Sequence, residues 1–227
     1  MAVQLDQIVP WGRSFKEYEL MFSLSANDLA HGVLDCGGGP ASFTAEAFAR
    51  GYRVVSVDPI YTCSRADIQA RFDAAAGPML TQVRGKLDDF IWQYHRDPDD
   101  LLKNRRAALE LFLADYSRGS REGRYVAAQL PSLPFEAESF GLAICSHLMF
   151  LYSDLLSADF HLQALRELCR VAKEVRVFPL LTLGRAPSPH LGFVRFELEK
   201  DGWLTEVMQV SYEFQRGGNQ MLRVFRD

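Results

Sequence analysis

Two carboxylates, three glycines and one histidine stand where chemistry would need them. Asp35 lies just ahead of Gly37, Gly38 and Gly39, and Asp58 comes one strand later. Val33 and Leu34 start a short apolar strand that runs into the glycines, and a helix is expected to open directly behind them. Glycine accepts positive φ and lets a ligand approach backbone with no Cβ in the way. The first N–H groups of the following helix have no partner inside it and face the turn. A second strand, expected over 52–57, stops at Asp58 and Pro59. An acceptor-only carboxylate at that tip, beside the glycine turn, suits the paired hydroxyls of a ribose. The unit reads as a nucleoside-cofactor site.

The spacing argues about which nucleoside. A dinucleotide fingerprint places glycine or alanine at the third position of G-x-G-x-x-G, where this chain has Ser42. Asp35 would also set negative charge beside a pyrophosphate, whereas it suits a ligand with an ammonium group. The run Val33-Leu34-Asp35-Cys36-Gly37-Gly38-Gly39-Pro40-Ala41 resembles motif I of the class I S-adenosylmethionine (SAM) methyltransferases, V-L-D-x-G-x-G-x-[GA]. That resemblance implies that the glycine turn cradles the methionyl part of SAM and that Asp58 holds its ribose. The alternative for the glycines is a turn needed only for close strand–helix packing.

Further along, Leu133-Pro134-Phe135-Glu136-Ala137-Glu138-Ser139-Phe140-Gly141 is similar to the family's L-P-F-x-D-x-S-F-D, with Gly141 replacing its aspartate. The resemblance implies that Gln129 and Leu130, just upstream, meet the adenine. The segment Leu165-Arg166-Glu167-Leu168-Cys169-Arg170-Val171-Ala172-Lys173 resembles L-R-E-x-x-R-V-L-K ahead of the fifth strand, without the usual Pro-Gly-Gly after it. A fourth strand over 141–146 ends in Ser146 and His147, and the carboxyl ends of strands are where open α/β sheets gather functional groups. Ser146 joins the expected cofactor contacts. His147 is the candidate general base, because an unperturbed imidazole titrates near working pH. The plainer role for His147 is a cap or a backbone hydrogen bond.

Other elements must position these residues. The capping box Ser14 with Glu17 predicts an N-terminal helix over 14–22, and Ser25 with Asp28 caps a second. Trp11, Arg13 and Tyr18 stand where they could touch cofactor or substrate, or serve as ordinary packing and surface residues. Three helices are expected between the second strand and a strand at 124–128: 64–76, 79–94 and one opening at Asp97-Pro98. A crossover needs one of them, so about 77–120 reads as an insertion. It forms either a lid lined by Phe90, Trp92, Tyr94 or His95, or a stabilising or dimerising appendage. The chain closes with β-rich stretches 206–214 and 220–225 around Arg216-Gly217-Gly218-Asn219, a hairpin signal.

The whole is expected to be one α/β domain over 1–227, with N-terminal helices in 1–31. Its sheet would be seven-stranded and mostly parallel, with a C-terminal antiparallel hairpin, the Rossmann-like methyltransferase fold. The 227 residues carry a formal net charge of −4, which argues against a nucleic-acid partner held by a basic face. The four cysteines, Cys36, Cys63, Cys145 and Cys169, lack metal-ligand spacing, so no metal is expected. They read as reduced thiols in a cytoplasmic protein. No apolar run approaches the ~18 residues of a membrane span. The implied activity is transfer of a methyl group from SAM to a small-molecule nucleophile. Alternatives are a SAM-binding module without turnover, or methylation of RNA or protein. Against the last, no Asn-Pro-Pro-Tyr-like motif follows the fourth strand. The acceptor and the oligomeric state are left open.

Overall fold

The computed structural model describes residues 11–226; the first ten residues of the expected N-terminal segment lie outside it. Fourteen principal elements follow in order. They are α1 Phe15–Phe22, α2 Ala26–Ala30, β1 Val33–Cys36, α3 Phe43–Ala49, β2 Val54–Val57, α4 Arg65–Arg84 and α5 Pro98–Arg121, then β3 Tyr125–Val126, β4 Phe140–Ser146, α6 Ala158–Val171, β5 Ala172–Phe178, α7 Leu191–Lys200, β6 Leu204–Gln209 and β7 Gln220–Phe225. They build one seven-stranded sheet of order β3-β2-β1-β4-β5-β7-β6. β3 to β5 run parallel, and β7 is antiparallel to both β5 and β6. The expected Rossmann-like sheet with a closing antiparallel pair is therefore present.

Burial explains the strand sequences. β1 is buried along its whole length, as a central parallel strand covered on both faces must be. On one face Leu34, Phe140, Ala143, Leu165 and Val175 share a core. On the other, Phe15, Tyr18, Phe22, Phe43 and Phe178 share a second. The strand order reverses between β1 and β4, and ligands in such sheets bind in the crevice outside the carboxyl ends at that point. Both the glycine turn after β1 and Ser146-His147 at the end of β4 lie there.

Two expectations need correction. The stretch between β2 and β3 holds two long helices, where three are expected, and the boundary placed near residue 77 falls inside α4. The helix runs through Pro78, a residue that costs a helix interior roughly 3 kcal/mol. It persists because Ile68, Phe72, Ala76, Leu80 and Val83 form one buried stripe across the proline. Residues 85–94 are not the second half of a helix, because Phe90 and Trp92 fold back onto Phe214, at ring centroid distances of 4.7 and 5.6 Å. The closing hairpin is also looser than its sequence suggests. β6 ends at Gln209, and residues 210–219 turn inward, with Tyr212 and Phe214 packing on other elements. The tight turn itself is real, as the Gly218 N–H donates to the Gln215 carbonyl at 2.7 Å.

Candidate functional site

The three glycines meet two different demands. Gly37 and Gly39 take φ of 72° and 52°, the left-handed region where a side chain is strained. Gly38 lies over a buried polar layer, so a Cβ there would collide with Ser56 Oγ and the Asp35 carboxylate. At Gly39 the nearest atom a Cβ would meet is Asp58 Oδ2, at 3.9 Å, so the space in front of the turn is open towards that carboxylate. The turn is fastened to β2: the Gly37 N–H donates to the Val57 carbonyl at 2.8 Å, and the Gly39 N–H to Asp58 Oδ2 at 3.0 Å. The other oxygen of Asp58 accepts from the Ile60 N–H at 2.8 Å.

Asp35, expected to face a ligand's ammonium group, points elsewhere. Its side chain is buried beneath the turn and does not line the cavity. Ser56 Oγ donates to it at 2.8 Å and the Tyr18 hydroxyl at 3.2 Å. The Tyr61 hydroxyl, 2.9 Å from Ser56 Oγ and 2.8 Å from the Gly39 carbonyl, extends this layer to the rim of the turn. Burial pushes the Asp35 carboxyl up to about 7, against the two donors that favour its ionised form. The residue that β1 delivers to the switch point thus braces the glycine turn from below.

A cavity of about 450 Å³ opens in front of the turn, within the roughly 300–1,000 Å³ of small-molecule sites. Gly37, Gly38, Gly39, Asp58, Pro59, Gln129, Leu130, Ser146 and His147 all line it, together with Trp11, Arg13 and Tyr18. The structure therefore brings together every expected site residue except Asp35. Arg71, Leu148, Leu156 and Phe160 line it as well and have no motif to announce them.

A second cavity, of about 130 Å³, is walled by Trp11, Arg13, Val83, Phe90, Leu101, Arg105, His147, Leu151, Arg185 and Phe214, among others. Trp11, Arg13 and His147 line both spaces, so the cavities meet there. Of the four residues expected to line a lid, only Phe90 reaches this cavity. Trp92 backs Phe90 and Phe214, Tyr94 packs on Tyr212, and His95 is fully buried.

His147 sits at the junction with φ of 51°, an uncommon conformation for a residue with a side chain and one that clusters at functional sites. Its N–H donates to the Phe178 carbonyl at 2.7 Å, and Nδ1 lies 2.9 Å from Ser146 Oγ. Burial, then the charges of Arg13 and Arg105, hold its pKa well below the usual imidazole value. The ring is therefore neutral at physiological pH.

The second cavity is held by a buried ion pair that the sequence shows only in retrospect. Glu17 completes the capping box of α1, yet its carboxylate also accepts from Arg105 Nη1 at 2.8 Å and from the Tyr212 hydroxyl at 2.9 Å. His95 lies 3.5 Å from it. Burial opposes the charge on Glu17, but Arg105 and His95 outweigh it and its pKa lies well below the ordinary value. The available signal was Arg105 itself, a charge in the apolar stripe of α5 between Leu101 and Leu109.

No group of three metal-ligating side chains stands together among the described residues, and no helix there is long and apolar enough to cross a membrane. No protein-family model matches the chain. The uncharacterized protein MJ0045 of Methanocaldococcus jannaschii is 30% identical over 225 residues, 99% of each chain. Among solved structures, the chain is similar to the magnesium protoporphyrin IX methyltransferase ChlM from Synechocystis PCC 6803, solved with bound SAM. The identity is 12%, the cover 88% of this chain and 72% of that one, and the TM-score 0.47. The YcgJ protein of Bacillus subtilis gives 16% identity, 86% and 70% cover, and a TM-score of 0.46. The chain belongs to one family with MJ0045, and its fold is the Rossmann-like fold of the class I SAM-dependent methyltransferases.

Proposed function

We propose that this protein is a SAM-dependent methyltransferase whose acceptor is a small molecule. The carrying observation is the pair of cavities that meet at Trp11, Arg13 and His147, the larger one built by the glycine turn and Asp58. The residues fit the cofactor. Gly39 leaves room beside Asp58, the Asp58 carboxylate offers acceptors for ribose hydroxyls, and Gln129 and Leu130 offer an amide and an apolar surface for a base. When bound, SAM supplies an electrophilic methyl group on a sulfonium and leaves as S-adenosylhomocysteine.

The chain's own contribution is mostly positioning. Holding donor and acceptor in line is worth up to ~7–11 kcal/mol of barrier. The glycine turn and Asp58 fix one partner, and the walls of the smaller cavity fix the other. Trp11 lines both cavities, and Phe90 adds an apolar wall to the smaller one. His147, neutral in the free protein, is placed to take a proton from the acceptor atom where that atom carries one. Its buried surroundings make it a weak base until the acceptor brings compensating charge. The small volume of the second cavity, about 130 Å³, suits a small molecule better than a polymer.

The direct test is incubation of the purified protein with methyl-labelled SAM and a small-molecule extract. Label appearing in a small organic product, and at least tenfold less of it with Asp58→Ala at limiting SAM, is the expected outcome. Label confined to protein or RNA would move the acceptor to a macromolecule, and no transfer at all would contradict the proposal.

A further inference from the structure

Resting on the methyltransferase reading, we infer that the acceptor is a small organic acid, with its apolar body in the 130 Å³ cavity and its anionic group held by Arg13. Three guanidinium groups border that cavity. Arg105 is paired with Glu17 at 2.8 Å, and Arg185 with Asp89 at 2.9 Å. Arg13 has no carboxylate partner among the described residues. Its Nη1 donates to the Trp11 carbonyl at 3.3 Å, and its Nε is buried with no hydrogen-bond partner. Burial, and then the neighbouring charge of Arg105, work against the charge on Arg13, and the carboxylate of Glu17, bonded to Arg105, offsets them only in part.

A half-buried cation with its Nε unpartnered and no carboxylate of its own is unfavourable, and a ligand anion is the natural remedy. The guanidinium fork matches a carboxylate in particular, through two parallel donors. The rest of the wall (Val83, Phe90, Leu101, Leu151 and Phe214 among it) asks for an apolar or aromatic body.

Arg13 also borders the larger cavity, so the cofactor's own carboxylate is the competing source of the anion. Two observations favour the acceptor. The larger cavity has a separate cation in Arg71, which does not line the smaller one, and Arg13 feels the charge of Arg105, which lines only the smaller one. An anion at Arg13 would also stand beside His147 and favour its protonated form, which restores basicity at the point of need.

The test uses the full-length protein saturated with S-adenosylhomocysteine. Benzoate, phenylacetate, indole-3-acetate and hexanoate are each compared with the matching primary amide by thermal shift. At about ten times its dissociation constant, an acid that binds should raise the melting temperature by roughly 3–6 °C, and its amide should not. In Arg13→Gln that rise should vanish while the rise caused by S-adenosylhomocysteine remains, which also shows that the variant is folded. Arg13→Lys should keep part of the response.

Amides that stabilise as well as acids, or no response to any acid, would overturn the inference. So would an Arg13→Gln variant that loses about tenfold in affinity for S-adenosylhomocysteine and nothing for 5′-methylthioadenosine, which lacks the carboxylate. That pattern would assign Arg13 to the cofactor. If S-adenosylhomocysteine itself fails to stabilise the wild type, the methyltransferase reading falls. The acid series run without it then decides alone whether Arg13 holds an anion.

Discussion

The two cavities that meet at His147 are built in opposite ways. The larger is assembled mainly from strand ends and the turn directly attached to them, so most of its residues arrive in short runs: 36–40, 57–60, 128–130 and 146–148. The smaller draws single side chains from α4, α5 and the loops at 147–152, 183–185 and 214–215. Backbone geometry shapes the first, and side-chain packing around a buried charge shapes the second. A site of the first kind tolerates little at its glycines. A site of the second kind depends on the pair that holds its walls, which for this protein is Glu17 with Arg105.

Breaking that pair gives the largest expected effect. Glu17→Ala leaves Arg105 buried without its carboxylate, and the loss of stability should be about 3–5 kcal/mol, read by urea unfolding. A loss below about 1 kcal/mol would show that the second cavity does not depend on the pair. Glu17 also sets an acid limit. Its folded pKa is depressed, so its contribution is complete above the ordinary carboxylate range and is lost as pH falls below about 4.5.

Asp35 behaves with the opposite sign, because its folded pKa is raised. In the cofactor-free protein, its contribution is fully present below about pH 4 and is lost as pH rises towards 7. Asp35→Asn removes that slope, so the variant should gain on the wild type between pH 5 and pH 8, by about 2–3 kcal/mol. A pH-independent difference between the two, measured by unfolding at both values, would show that the layer beneath the glycines does not titrate there.

Much of the larger cavity was legible in the sequence because its determinants are local. Positive φ requires glycine at 37 and 39, and a strand that ends in Asp58 delivers a carboxylate to the same crevice. Asp35 was misplaced for a related reason. The sequence shows that it adjoins the turn but not on which side of the sheet crevice its side chain lies, and Tyr18 and Ser56 decide that by hydrogen bonding. The smaller cavity was mostly hidden. Helix continuity through Pro78, the fold-back of Phe90 and Trp92, and the inward course of residues 210–219 all follow from contacts across long sequence separations. Arg105 in an apolar stripe was a local sign, but its partner Glu17 already had a sufficient local explanation as a helix cap.

A smaller effect sharpens the contrast between the two regions. Phe90→Leu trims the wall of the second cavity at the modest cost of a hydrophobic swap, under about 1.5 kcal/mol. Affinity for S-adenosylhomocysteine should stay within about twofold while acceptor turnover falls. An equal fall in both would mean that the cavities are not separable.

Calorimetric titration of S-adenosylhomocysteine into wild type and Asp58→Ala, with NAD as the control, tests whether the glycine crevice holds SAM through Asp58. The wild type should bind S-adenosylhomocysteine and not NAD, and the variant should lose ~1.5–3 kcal/mol, roughly ten- to 150-fold in affinity. Equal affinity in the two proteins, or binding of NAD in place of S-adenosylhomocysteine, would contradict it.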